Sequence, residues 1–192
     1  MITALLLAAG ESVRMGAFKQ LLPIAGKSFV ECCVDTLLAS RVDEVLVVTG
    51  HRSGEVMAAL GARPVRFVHN AAYREGMSSS LMCGVKALSG QTQAAVIALV
   101  DQPTIEVAAV NAIIDQYLVH QPLIVVPTFG GRNGHPVLLD MRLKDEILAT
   151  DPNLGLRQVV HAHADETLHV EIHSESILRD FDYPEDYEKL NG

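Results

Sequence analysis

Residues 2–20, ITALLLAAGESVRMGAFKQ, decide how the rest of the chain is read. The first seven, ITALLLA, form an unbroken apolar run without helical spacing, the pattern of a strand buried on both faces. The run ends in a loop that holds Gly10 and Gly16, one hydroxyl at Ser12, and two cations at Arg14 and Lys19. Glycines let a chain turn so that successive N–H groups converge on an anion, and Arg14 and Lys19 supply the charge that amides lack. The stretch therefore reads as a phosphate-binding loop after a strand. An ordinary βα loop with solvated basic residues accounts for the same composition.

Outward from that strand the chain alternates. Strands are expected at EVLVVTG (44–50), VRFVH (65–69), 94–100 and 123–127, with helices at 29–39, 54–60, 79–88 and 106–119. The first helix carries a start signal, because Ser28 and Glu31 make an S-x-x-E capping box. Repeated βα units predict a three-layer α/β fold, a mostly parallel, Rossmann-like sheet with helices on both faces and ligands at the carboxyl ends of its strands. After Pro127 the rhythm changes. TFGGRNGHP reads as a Gly-rich loop, PVLLD as a short strand, 143–149 and 154–161 as helices, TLHVEIH as a half-exposed strand, and PEDYEKL as a terminal helix. The expected organisation is one domain over 1–192, with a nucleotide-binding half at 1–127 and an inserted acceptor lobe with closing elements at 128–192.

Composition bounds the function. At 192 residues, 49% hydrophobic and 20% charged, the chain fits one folded domain and not a disordered segment. With 15 Lys and Arg against 23 Asp and Glu, the net charge of −8 offers no global attraction to nucleic acid or anionic lipid. An anionic ligand must be met by a local site. Cys32, Cys33 and Cys83 form no C-x-x-C pair, which points to a reducing compartment, the cytoplasm, and to no structural zinc. The apolar start lacks a basic n-region, and no run approaches the ~20 residues that a bilayer span needs.

Two familiar phosphate motifs fail. AGKS at 25–28 mimics the end of a Walker A loop, but Leu21 stands where its first glycine belongs, and no G-x-G-x-x-G follows the first strand. Asp101 stands where the run 94–100 stops, over the carboxyl edge, and a hard oxygen ligand there suits Mg²⁺ together with substrate phosphates. A turn-forming or capping role would explain an isolated Asp equally well. Ser78, Ser79 and Ser80 open a helix near the same edge; capping explains one of them and does not require three. Asp180 and Asp182 precede the last helix, where acids ordinarily complement the dipole. His169, Glu171 and His173 share one face of an alternating strand and read as solvated. His135, in the NGHP turn, suits ligand contact and turn packing equally.

The order LAAGESVRMGAFKQLL, EGMSSSLMCG, LVDQP, GRNGHPVLL, GLRQVV, DFDYPEDY resembles that of the molybdenum cofactor cytidylyltransferases, within the superfamily that holds the guanylyltransferases of that cofactor and the sugar-phosphate nucleotidyltransferases. The resemblance covers nearly the whole chain. It implies a Mg²⁺-dependent enzyme that moves CMP from CTP to the terminal phosphate of molybdopterin and releases pyrophosphate, with a molybdoenzyme receiving the product. It further implies that Leu7, Ala8, Ala9 and Gly10 line base and ribose, that Ser12, Arg14 and Lys19 hold the triphosphate, and that Ser80 faces cytosine. Ala9 is similar to the cytidine branch, since the guanylyltransferases usually carry a glycine there. Asp101 would bind the metal, and Asp182, matching an aspartate of a family DIDTPEDY ending, would be a second ligand; Tyr183 replaces the family's threonine. The glycine loop with His135 and the GLR segment with Arg157 would bind the acceptor. Nucleotide transfer to another phosphorylated acceptor, and a non-catalytic cofactor-binding or insertion role, are the alternatives; intact Arg14, Lys19 and Asp101 speak against the last.

Overall fold

The computed structural model describes residues 1–151 and 155–191. Its strands are β1 (Ile2–Ala8), β2 (Pro23–Ile24), β3 (Lys27–Ser28), β4 (Glu44–Thr49), β5 (Arg66–His69), β6 (Ala94–Leu99), β7 (Ile124–Phe129), β8 (Arg132–Asn133), β9 (Val137–Asp140) and β10 (Thr167–Glu171). Its helices are α1 (Phe29–Leu38), α2 (Ser53–Leu60), α3 (Met77–Ala87), α4 (Val107–His120), α5 (Lys144–Ala149), α6 (Leu156–Ala162) and α7 (Pro184–Asn191).

The main sheet runs β10-β7-β9-β6-β1-β4-β5, and β1 pairs in parallel with both β4 and β6. Alternate residues of β1 feed two cores, as a strand buried on both faces requires. Ala4, Leu6 and Ala8 pack with Val34 of α1, Leu60 of α2 and Val110 of α4. Leu5 and Leu7 pack with Val85 of α3, Ile147 of α5 and Val159 of α6. The result is three layers, with each fully buried aliphatic side chain contributing about 1.5–3 kcal/mol.

Three local features depart from the sequence pattern. First, β9 is antiparallel to both β6 and β7 and lies between them, in register Ile97↔Val137 with β6. This reversal puts the residues that precede β9 beside the carboxyl end of β6. Second, the segment expected as a glycine loop after Pro127 is partly a hairpin, because β7 continues to Phe129 and pairs with β8. Third, AGKS belongs to the β2–β3 hairpin: Ala25 and Gly26 are its two-residue turn, with positive φ (49° and 84°), and Lys27 and Ser28 are β3 itself. The helix expected over 154–161 begins at a residue outside the described ones; α6 starts at Leu156. The capping box at Ser28 forms, since Glu31 Oε2 accepts from the Ser28 N–H at 2.8 Å. No described helix is long and apolar enough to cross a membrane.

Candidate active site

Strand ends supply the site. The loop after β1 is closed by one side chain that pattern reading missed, Gln20. It is buried, and its Nε2 donates to the Ala8 carbonyl at 3.1 Å and the Gly10 carbonyl at 2.8 Å. Ser12 completes the closure: its hydroxyl donates to Gln20 Oε1 at 3.0 Å and accepts from the Lys19 N–H at 3.2 Å. The turn itself is made by Ser12 (φ 58°) and Gly16 (φ 67°), both left-handed. Gly10 is different. Its φ is not positive, and a Cβ placed on it would meet nothing within 4 Å, so its small size leaves open space at the cavity wall.

That cavity has a volume of about 520 Å³, within the range of small-molecule sites. Leu7, Ala9, Gly10, Ser12, Arg14 and Lys19 line it from the first loop, Ser80 from α3, Asp101 from the end of β6, and Asp180 and Asp182 from the segment before α7. His135 and Arg157 reach the same space from the second half of the chain. Ala8 is the exception among the expected residues. Its side chain is fully buried in the core, and only its carbonyl contributes, by holding Gln20.

Asp180 and Asp182 arrive by packing. Phe181 between them is buried in a cluster with Met15 and Phe29, ring against ring with Phe29 at 5.5 Å, and its N–H donates to the Asp101 carbonyl at 2.9 Å. Tyr187 donates to the Pro23 carbonyl at 2.6 Å, which ties α7 to the β2–β3 hairpin. The acids therefore serve the cavity, while Asp186 does the helix-end work, accepting from the N–H of Tyr183 at 3.0 Å.

Charge is concentrated here. Lys19 Nζ bridges Asp101 Oδ2 at 3.3 Å and Asp182 Oδ1 at 2.6 Å, and Arg14 pairs with Asp182 Oδ2 at 2.9 Å. The other Asp101 oxygen, Oδ1, is buried with no partner. Burial pushes the Asp101 carboxyl above the usual carboxylate range; Lys19 opposes this, and Asp182 and Asp180 add to it. His135 lies the other way: burial pulls its imidazole below the ordinary value, and the Asp101 carboxylate opposes the shift. Among the described residues the buried side-chain polar atoms without a partner are Glu44 Oε2, Asp101 Oδ1, Gln102 Oε1, Thr104 Oγ1 and His135 Nδ1; those of Asp101, Gln102 and His135 belong to residues lining this cavity.

An orphaned carboxylate oxygen, with Asp180 and Asp182 lining the same cavity, is a donor set suited to a hard divalent cation such as Mg²⁺. Among the described residues no group of three or more His, Cys, Asp or Glu could hold a metal unaided, so a cation there would need substrate oxygens to complete its shell.

Behind Ser80, Asn70 follows the end of β5 and was also missed. Its Nδ2 donates to Ser79 Oγ at 2.9 Å and Ser80 Oγ at 3.0 Å, and Ser79 donates to the carbonyls of Ala72 and Gly76. Because Ser80 accepts from Asn70, its own proton can be offered to the cavity. Three serines thus divide the work: Ser79 ties the preceding turn, Ser80 faces the site, and Ser78 borders the neighbouring space beside Gly155.

Residues 4–167 match the MobA-like NTP transferase domain. The nicotine blue oxidoreductase of Paenarthrobacter nicotinovorans is 32% identical over 158 residues, 78% of this chain and 76% of that protein. The molybdenum cofactor cytidylyltransferase of Escherichia coli is 25% identical over 187 residues, 97% and 93% of the two chains. Among solved structures, a nucleotidyl transferase from Methanothermobacter superposes with a TM-score of 0.85 at 30% identity, covering 99% of this chain and 95% of that one. A glycine loop tied by Gln20, cations shared with the acids of the cavity, and a family match over most of the sequence converge: the chain belongs to the MobA-like NTP transferase family and is a nucleotidyltransferase.

Proposed function

We propose that the protein transfers CMP from CTP to the terminal phosphate of molybdopterin, releasing pyrophosphate, with Mg²⁺ as its metal and the reducing cytoplasm as its compartment. The observation that carries the reading is Lys19 held between Asp101 and Asp182 beside the orphaned Asp101 oxygen, cation and acids sharing one cavity. Arg14 and Lys19 hold phosphate oxygens, Asp101 with Asp182 holds the metal, and Leu7, Ala9 and Gly10 border the nucleoside. Mg²⁺, when bound, adds positive charge at the phosphate oxygens. The acceptor phosphate oxygen forms a bond to the α-phosphorus as the bond to the bridging oxygen of pyrophosphate breaks. A phosphate monoester needs no base to become a nucleophile, so the protein's share is alignment and charge.

Cytosine is favoured by Ser80. A hydroxyl that already accepts from Asn70 is set to donate, and cytosine presents two adjacent acceptors, O2 and N3, whereas guanine's pairing edge presents one, O6, beside N–H donors. In this reading residues 1–127 bind the nucleotide and 128–192 the acceptor, through His135 and Arg157, and a molybdoenzyme takes the product.

The test is pyrophosphate release with each nucleoside triphosphate, Mg²⁺ and either molybdopterin or a phosphorylated sugar. CTP with molybdopterin should be the productive pair; preference for GTP, or for the sugar, overturns the assignment. The 32% identity to an oxidoreductase favours one second reading, redox turnover in the same cleft. It requires an added reductant to pass its electrons to an added oxidised dye, both followed by absorbance, without pyrophosphate release.

A further inference from the structure

Lys19 opens a 3₁₀ turn, Lys19–Leu21, whose backbone is tied on both sides. Its N–H donates to Ser12 Oγ, and the next side chain, Gln20, is locked onto the Ala8 and Gly10 carbonyls. Only the four-carbon stem can carry the ammonium elsewhere. Nζ stands where two carboxylates converge, one from the end of β6 and one from the segment before α7, at 3.3 Å from Asp101 Oδ2 and 2.6 Å from Asp182 Oδ1. Arg14 takes the remaining Asp182 oxygen at 2.9 Å. Asp182 thus has no oxygen free of a cation, and the one that Asp101 keeps is buried.

A divalent ion ligated by both acids has to lie between them, and the ammonium already fills that place. A hard ion such as Mg²⁺ draws carboxylate oxygens to about 2.0–2.1 Å and repels a neighbouring cation, so the two cannot share the pair. Arg14 can yield into water, since its side chain is 64% exposed. Lys19 cannot. Its side chain is 11% exposed, and the anions it touches are the two acids themselves. Displaced by a metal, the ammonium would be left nearly buried without a counter-charge, which is strongly unfavourable. The outer phosphates of a nucleotide supply that counter-charge.

We propose that Lys19 holds the metal's place until a triphosphate draws it away, so that the site turns away free divalent ions and takes the metal together with the nucleotide. The inference rests on the reading that Asp101 and Asp182 hold the metal, and adds that metal and triphosphate bind as one unit. Linkage makes the coupling mutual: what the triphosphate adds to metal affinity, the metal adds to triphosphate affinity.

The probe is Mn²⁺ alone, used in place of Mg²⁺ and followed by loss of its free-ion electron paramagnetic resonance signal, with the whole chain and no nucleotide. Wild-type protein should bind it weakly, in the millimolar range. Lys19→Met keeps the stem and drops the charge, and should bind Mn²⁺ about ten- to a hundredfold more tightly, the size of one charge-assisted hydrogen bond that no longer competes. A variant that loosens CTP thereby tightens the metal, an outcome that misfolding does not produce. Arg14→Gln takes an equal charge from the same carboxylate, but from an exposed side chain, and should tighten Mn²⁺ by less than about threefold.

Unchanged Mn²⁺ affinity in Lys19→Met, or an equal gain in Arg14→Gln, overturns the inference. Micromolar binding of Mn²⁺ by the nucleotide-free wild type overturns it too, and that measurement stands even if Lys19→Met does not fold. If CTP yields pyrophosphate in Mg²⁺ while Lys19→Met gains no metal affinity, this inference falls and nucleotidyl transfer stands. If Lys19→Met gains the metal but no triphosphate and acceptor yield pyrophosphate, the transfer reading falls and Lys19 remains the occupant of a cation site.

Discussion

Two charge clusters in this molecule use the same ingredients to opposite ends. At the junction of α1 and α2, Arg63 forks onto Asp35, with Nε at 2.6 Å from Oδ1 and Nη2 at 3.2 Å from Oδ2, and reaches Glu31 at 3.2 Å. Lys27 adds a contact to Asp35 at 2.6 Å, and Arg63 Nη1 also donates to the Ala59 and Leu60 carbonyls at the end of α2. Both carboxylates have their oxygens met. Asp35 is accordingly held down at about 2, chiefly by its hydrogen bond from Arg63. In the cavity, Arg14 and Lys19 face Asp101 and Asp182, yet one Asp101 oxygen is buried and unmet, and that carboxyl is pushed up. A satisfied cluster holds elements together. An unsatisfied one carries a local cost, which is what a binding site accepts in exchange for chemistry.

Four measurements would sharpen or break this contrast. The largest effect should come from Asp101→Asn: transfer falls by about 10²–10³-fold or more, while the melting temperature does not drop, because a buried charge is removed from a place that disfavours it. Unchanged turnover in Mg²⁺ would take Asp101 out of the metal role. Next, Lys19→Ala should weaken CTP binding by roughly ten- to a hundredfold and CMP binding far less, measured calorimetrically, since charged hydrogen bonds to the outer phosphates are lost. Equal losses for both nucleotides would place Lys19 elsewhere. Smaller again, Arg63→Ala should leave turnover as it was and cost about 1–2 kcal/mol of unfolding free energy in urea, the range for a partly exposed multidentate pair. A turnover defect there would merge the two clusters in function.

The smallest effect is in pH. Asp35 is lowered from 3.8 to about 2 on folding, so its stabilisation is fully present above 3.8 and is lost as pH falls through about 2. With partial exposure the contribution is under about 1 kcal/mol. Asp101 has the opposite sign: with its folded value raised, stability declines as pH rises through the interval above its unfolded value. Acid titration of unfolding should therefore lose its low-pH slope in Arg63→Ala and its opposing slope in Asp101→Asn; identical curves for both variants and wild type would refute the assignment of signs.

Much of this was legible in the residues. The βα alternation could be read because each central strand is an apolar run, and Asp101 because a carboxylate ends one. The same rule would have found Asn70, the first residue after β5, had strand ends been scanned for amides as well as acids. Gln20 could not be found that way. Its partners are two backbone carbonyls across the loop, and sequence says nothing of backbone proximity. The β2–β3 hairpin escaped because its strands are two residues long and AGKS had been compared only with a phosphate loop. Taken alone, Asp182 read as dipole complementarity and only the family ending marked it as a ligand; what seats it at the cavity is Phe181, packed against Phe29. The reversal of β9 left no periodic trace, since a short apolar run reads alike in either direction.

That reversal also has a bearing on how the chain assembles during synthesis. Strand β7 leaves the ribosome before β9, yet it has no partner in the β1–β6 part of the sheet: β6 is bordered by β9, and β7 reaches it only through β9. The nascent chain must therefore hold β7 in waiting until residues 137–140 arrive to fill the gap, and only then can β10 add to the outer edge. Loop closure of this kind is slow relative to neighbour pairing. The side of the cleft built from residues 128–192 is thus the last to be made, and a translational pause shortly before residue 137 should leave β6 as an open edge, the state in which the chain is most prone to pair with the wrong strand.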